Sequence, residues 1–377
     1  MFFWIAATAF LVMLAGYGGL LLYGSTLFVR ARPGRSKTKP MVSIVVSAHN
    51  EAHELPGLLE RLNRQSYPKN RTEILLVDDR STDSTYRIMQ RFAGTKPGRS
   101  VLKILKTPPG ISPKKHALAT ALAVARGKIC ITTDADARPH TDWIVSVVRT
   151  YTHSTAAVIG YAPYRTDYPF HTVFHRVLAL EYFSLAAVSL ASSIVGRPLT
   201  CNGANFSYRK HIFESIGGFG ESIRLLSGDD DLLLHRIQAK APGRIRYAID
   251  PEAAVFNAPP HTFSQWLQQR IRFASKHLFY PPGVRTFLIA IYAFYFIFFA
   301  LCILSFFSMS CALLLVLAIA VKSACEICFL LKAKRILEKR NLLRYYPLAF
   351  FPHVLYVVFI PLLSRFIRPK WGPNKAV

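Results

Sequence analysis

The chain has 377 residues, 51% of them hydrophobic, with a mean hydropathy of +0.25 and a formal net charge of +26. So apolar a composition excludes a disordered chain and exceeds what a soluble domain of this size needs. The basic residues are spread along the chain rather than grouped with stacking aromatics, so the expected partners are anionic lipid and a negatively charged small substrate, with no nucleic acid.

The apolar excess lies at the two ends. From Phe2 to Val29 there is no Asp, Glu, Lys or Arg, enough to cross a bilayer core of ~30 Å at ~1.5 Å per residue. A signal peptide would want a basic residue before a shorter run, whereas here the positive charge comes after it, in Arg30, Arg32, Arg35, Lys37 and Lys39. Residues 1–29 are therefore expected to be a transmembrane anchor and 30–40 a basic linker. The positive-inside rule places the domain beyond this linker in the cytoplasm.

Next come strand-loop-helix units. Met41 to Ser47 is a β-branched run ending in Ala48-His49-Asn50-Glu51, after which Leu55, Leu58, Leu59 and Leu62 recur at helical spacing. The pattern repeats with Glu73 to Val77 before Asp78-Asp79-Arg80-Ser81-Thr82-Asp83, and with Val101 to Leu105 before an Ala-rich helix from Lys115 to Ala125. Lys114 and Lys115 at its start have two readings, an approach to substrate phosphates and a solvated helix start, of which the solvated one is preferred. Alternation of this length implies a largely parallel α/β sheet. The run Ile129 to Thr133 then ends in Asp134-Ala135-Asp136. Residues i and i+2 of a strand share a face, so both carboxylates are expected at the carboxyl edge of the sheet, where such sheets hold ligands. Two hard oxygen ligands suit Mg²⁺ or Mn²⁺, bound jointly with a diphosphate.

From Phe170 to Val195 an apolar helical pattern reads either as a core helix or as a membrane-surface helix walling an acceptor entrance. Gln269 and Arg272, three apart, share a helix face, and Trp266 and Phe273 beside them suit an interfacial helix. Residues 284–366 read as a C-terminal transmembrane region. Phe287 to Met309 and Cys311 to Leu331 form a hairpin, and the basic loop Lys332 to Arg344 returns to the cytoplasm. In the last run, Tyr345 to Leu363, Pro347, Pro352 and Pro361 allow a broken or re-entrant path; if it spans, Arg365, Arg368, Lys370 and Lys375 end up outside. Cys325 and Cys328, the one close pair among six cysteines, sit within an apolar run without a second pair and read as membrane-buried thiols.

The three strand ends Ala48-His49-Asn50-Glu51, Val77-Asp78-Asp79-Arg80-Ser81-Thr82-Asp83 and Thr133-Asp134-Ala135-Asp136 resemble the nucleotide-sugar-binding half of the family-2 glycosyltransferases, with their GT-A fold. Ser227-Gly228-Asp229-Asp230-Asp231-Leu232 resembles that family's acidic base motif, and Gln269-Arg270-Ile271-Arg272-Phe273 its Gln-x-x-Arg-Trp motif. The resemblance covers roughly Met41 to His277, within an expected glycosyltransferase domain of residues 41–280. It implies that Asp79 accepts from the nucleobase of a UDP-sugar, that Glu51 and Asp134 help hold the nucleotide sugar, and that Asp136 ligates the metal. Asp229 is then the base that deprotonates an acceptor hydroxyl for inverting transfer of a hexosyl or N-acetylhexosaminyl group, while Gln269 and Arg272 serve the diphosphate or brace the acceptor pocket. There are two departures: Gly228 replaces Glu, which leaves open whether Asp229 or Asp230 is the base, and Phe273 replaces Trp.

The leading expectation is a membrane-bound inverting glycosyltransferase with a lipid or lipid-linked acceptor, set in a bacterial inner membrane with its catalytic domain cytoplasmic. A processive synthase with a polysaccharide acceptor shares the motifs, but few spans leave little material for a polymer channel. A silent nucleotide-sugar or anionic-lipid scaffold is the third possibility, and it has no use for a base.

Overall fold

The computed structural model describes residues 2–94, 96–165 and 172–367. Phe170, Arg368, Lys370 and Lys375 lie outside the described residues. After the uncharged helix α1 (Phe2–Leu27), the chain runs through β1 (Val42–Ala48), α2 (Leu55–Asn63), β2 (Thr72–Asp79), α3 (Thr85–Ala93), β3 (Arg99–Ile104), α4 (Pro113–Val124) and β4 (Ile129–Asp134). A second stretch comprises β5 (Arg138–Pro139), α5 (Trp143–Arg149), β6 (Thr155–Gly160), α6 (Val173–Ile194), β7 (Phe206–Arg209), α7 (Lys210–Ser215), α8 (Asp231–Lys240), β8 (Arg244–Ala248) and β9 (Val255–Phe256). The helices α9 (Phe263–Ala274), α10 (Pro282–Leu304), α11 (Met309–Leu337) and α12 (Tyr346–Phe366) complete it.

Seven strands form one sheet in the order β3-β2-β1-β4-β7-β6-β8. β3, β2, β1 and β4 are parallel, as the alternating units require, and β7 runs antiparallel to both β4 and β6. The strand order reverses between β1 and β4, so their carboxyl ends open the crevice in which such sheets take ligands. Alternation along β1 sends Val42, Ile44 and Val46 into a core with α2, α3 and α5, and Val45 into the core on the other face. That second core is continuous with α1 and α10 to α12 through Phe183, Phe298, Phe329 and Phe350. The sheet and the apolar helices are thus packed together rather than tethered.

Five helices are long and apolar enough to cross a membrane, α6 among them. Yet α6 leaves β6 and returns to β7, its neighbour in the same sheet, so both its ends stay with the sheet. One face of this helix is core, with Phe183 and Leu190 buried, while Phe174, Val177 and Leu185 line a cavity. α12 runs as a continuous helix through Pro352 and Pro361 rather than breaking there. The turn before it is fixed to the sheet domain: Tyr161 donates to buried Glu338 (2.7 Å), which also takes the Arg340 guanidinium, and Arg340 donates to the Tyr164 carbonyl (2.7 Å). Cys325 packs where α1 offers Gly18; a Cβ there would stand 3.0 Å from its sulfur, a close helix contact that explains the thiol without a metal.

Candidate active site

The loops after β1 and β2 are stitched into one surface. Asn50 accepts from the Thr82 N–H (2.8 Å) and donates its own N–H to Ser81 (3.0 Å), and Asp83 takes N–H groups from Ala52 (3.1 Å) and Thr85 (2.9 Å). Asn50 (φ 55°) and Arg80 (φ 59°) both hold left-handed backbone, which costs energy in a non-glycine residue and is maintained here by these cross-links. Asp79, buried at the end of β2, receives Arg80 Nε at 2.8 Å. Glu51 closes the same loop, its N–H bonded to Thr85 (2.8 Å).

β4 ends at Asp134, and Asp136 lies in the following turn, where the Ala137 N–H returns to the Asp134 carbonyl (3.1 Å). Their common direction therefore comes from a turn, not from the pleat. Both line one cavity with Asp229, Asp230, Gln269 and Arg272. Asp79 and Glu51 belong to the neighbouring loops and not to that cavity wall.

The acidic motif separates its three carboxylates by task. Asp230 accepts the N–H of Asp231 (2.7 Å) at the start of α8 and the N–H of Gly203 (3.1 Å), so its two oxygens hold backbone in place. Asp231 is buried against Lys276 (2.7 Å) and Tyr280 (2.5 Å). Asp229 instead faces the cavity, 2.8 Å from Lys114 Nζ. Gly228 has φ +85°, and a Cβ there would fall 2.5 Å from the Leu232 side chain. The missing Glu is thus a backbone requirement of this turn.

Lys114, read from the sequence as solvated, lies between Asp229 and Asp134 (2.9 Å). Burial disfavours its charge, but the two carboxylates outweigh that and hold the ammonium well above its ordinary range. Lys115 is buried too, donating to the carbonyls of Ser222 (2.5 Å) and Ser227 (2.8 Å), and so holds the loop that leads to Asp229. Burial draws its pKa down to about 8. Nothing in the periodicity marks either lysine; the signal is their place at the start of the helix that leads into β4.

From these carboxylates a cavity of about 1570 Å³ extends between α6, α9, α10 and α12. Its lining joins these carboxylates to apolar side chains of the long helices, Leu185, Leu288 and Val357 among them.

Residues 43–217 match the family described as Glycosyl transferase family 2. The chain carries a glycosyl transferase family 2 domain. Among curated relatives, the probable glycosyltransferase YdaM of Bacillus subtilis (strain 168) is 27% identical over 239 residues, which are 63% of this chain and 55% of that one. The beta-monoglucosyldiacylglycerol synthase of Nostoc sp. (strain PCC 7120 / SAG 25.82 / UTEX 2576) is 29% identical over 148 residues, 36% of this chain and 31% of that one. The alignments thus span about half the length of the first relative and a third of the second. Among solved structures, the mannosyltransferase PcManGT from Pyrobaculum calidifontis, in complex with GDP-Man and Mn²⁺, superposes with a TM-score of 0.63 at 20% identity, covering 96% of this chain and 98% of that one. The glycosyltransferase domain has the GT-A fold, and apolar helices flank it on both sides in sequence.

For a metal, the glycosyltransferase domain offers the Asp134 and Asp136 carboxylates on one cavity wall. Among the described residues no three His, Cys, Asp or Glu groups converge on a point. That donor set is too small for an all-protein cage and fits a hard cation that takes its other ligands from a diphosphate and water.

Proposed function

We propose that the protein is a membrane-bound, metal-dependent inverting glycosyltransferase that moves a hexosyl or N-acetylhexosaminyl group from a nucleotide sugar to a lipid or lipid-linked acceptor. The observation that carries this is the continuity of Asp134, Asp136 and Asp229 with a chamber walled by apolar helices. A water-soluble acceptor has no need of such walls, while an amphiphile can bring its polar head to the carboxylates and leave its chain among them.

In this reading Asp79 accepts from the nucleobase, with the Glu51 loop closing over the nucleoside and Asp134 beside it. Asp136 would hold Mg²⁺ or Mn²⁺, which when bound supplies charge neutralisation for the leaving diphosphate. Lys114 stands where it can give its ammonium to the same phosphates, and Arg272 and Gln269 face them from α9. Asp229 takes the proton of the attacking acceptor oxygen. Attack from the face opposite the nucleotide inverts the anomeric centre in one displacement, with no covalent intermediate. The glycosyltransferase domain then lies in the cytoplasm, and a bacterial inner membrane is the setting proposed.

The test is incubation of the purified full chain with Mn²⁺ or Mg²⁺, UDP- and GDP-sugars and lipid extract, with product identified by mass. The GDP-sugars are included because the mannosyltransferase of the same fold is described with GDP-Man and Mn²⁺. A lipid carrying one added sugar, lost on chelation with EDTA, is the expected result. A growing polymer would point to a processive synthase, and donor binding without any transfer to a scaffold.

A further inference from the structure

The segment that joins α9 to α10 meets two surroundings at once. It is a short 3₁₀ turn, His277–Phe279, set between Lys276 and Tyr280, and α10 begins at Pro282. Both its ends are gripped by the acidic motif. Lys276 Nζ lies 2.7 Å from Asp231 and 3.6 Å from Asp230, and Tyr280 donates to Asp231 Oδ2 (2.5 Å) while its ring packs on His235. Lys276 and Asp231 are buried, so this tie is made away from water. Between the two grips the chain turns outward, and Leu278 is 58% and Phe279 56% exposed.

The helices on either side fix where this turn lies. α9 packs on α12 through the rings of Trp266 and Tyr356 (6.1 Å), and the uncharged apolar run of α10 starts at Phe287, just past Arg285. The five residues from Pro282 to Phe287, at ~1.5 Å each, set the start of α10 about 8 Å outside the hydrocarbon. The headgroup region on each side of a bilayer is itself about 5–8 Å deep. The turn therefore falls in that layer, where an exposed Leu-Phe pair finds apolar surroundings and a tyrosine beside it is at home. From there the path to the base is short. Lys276 and Tyr280 hold Asp231, Asp230 accepts the Asp231 and Gly203 N–H groups, and Asp229 is the residue before it.

We propose that Leu278 and Phe279 seat this turn in the headgroup layer of the membrane, and that the seated turn, through Lys276 and Tyr280, holds the acidic motif in the geometry from which Asp229 acts. Lys276 and Tyr280 are then positioning residues. The coupling rests on the reading of the protein as a glycosyltransferase with Asp229 as its base; the membrane contact does not.

The experiment uses the full chain in nanodiscs of phosphatidylcholine, with lipid extract added for the transfer assays. Photoreactive p-benzoylphenylalanine in place of Phe279 is expected to form a phospholipid adduct, found by mass on the peptide that carries residue 279. The same group in place of Lys96, exposed in the loop before β3, should form none. No adduct at 279, or an adduct to a second protein chain instead, overturns the contact. Leu278→Ser combined with Phe279→Ser is expected to lower kcat about tenfold, the scale of a slightly misplaced catalytic group. Donor affinity, read by calorimetry, should stay where it is, which a general loss of structure would not allow. Tyr280→Phe keeps the ring and cuts one link to Asp231, so it should lower kcat in the same direction while the probe at 279 still marks lipid. Unchanged kcat in both variants, or donor affinity falling with kcat, overturns the coupling and leaves the glycosyltransferase reading standing. A parent chain that transfers to no lipid overturns that reading and the coupling together, and the adduct at 279 still decides the contact.

Discussion

At the scale of single residues, the choice between Asp229 and Asp230 turns on what each carboxylate already does. Asp230 spends its two oxygens on the N–H groups of Asp231 and Gly203, whereas Asp229 faces the chamber beside Lys114. General-base assistance is typically worth ~10²–10⁴ in rate. Asp229→Asn is therefore expected to lower transfer by about that factor while donor affinity, read by calorimetry, is little changed. Asp230→Asn keeps one acceptor and loses the other, so turnover should fall by less than about tenfold and stability by roughly 1–2 kcal/mol. The reverse pattern, with Asp230→Asn dead and Asp229→Asn nearly normal, would move the base by one position.

At the scale of elements, α8 carries the acidic motif at its start and a buried histidine one turn further on. His235 packs against the edge of Tyr280, and burial pushes its pKa down to about 4. In the unfolded chain it titrates near 6.5. Its folded pKa is the lower one, so the unfolded state binds the proton more readily, and the stability it contributes is complete above about pH 6.5 and lost progressively as pH falls towards 4. At about 1.4 kcal/mol per pKa unit the loss is of order 3 kcal/mol. The thermal midpoint of the detergent-solubilised protein should drop between pH 7 and pH 4.5, and His235→Phe should flatten that part of the curve. An unchanged slope in the variant would assign the acid sensitivity elsewhere. The turn between α11 and α12 makes a second prediction at this scale. Glu338 and Arg340 bond to Tyr161 and Tyr164, so the turn sits on the same side as the sheet. A cysteine introduced at Lys339 should resist an impermeant thiol reagent in intact cells and react once they are opened; labelling from outside would reverse the orientation.

At the scale of the whole molecule, the sheet was legible from the sequence because short apolar, β-branched runs ending in carboxylates carry their own signal. β1, β2 and β4 lie within a residue or two of their expected limits, and the two helices of the hairpin are set by length and apolarity alone. The features that local pattern could not show depend on groups distant in the chain. Lys114 is recognisable only once Asp229, more than a hundred residues on, is folded over it, and Arg270 only once Glu181 is brought beneath α9. α6 is the instructive case, since its hydropathy equals that of a span while its two ends belong to adjacent strands. Its apolar surface is covered by α1, α11 and α12, so the sheet domain has no separate surface of its own on that face. A chain cut to residues 31–280 would expose that face along the length of α6, an apolar patch far beyond what a soluble monomer tolerates. It is expected to aggregate in detergent-free buffer, with the full chain in detergent running as a discrete species on size exclusion. Should residues 31–280 instead elute as a monomer that binds nucleotide sugar, the sheet and the helices would be independent units, and the continuous core between them would not be needed for folding.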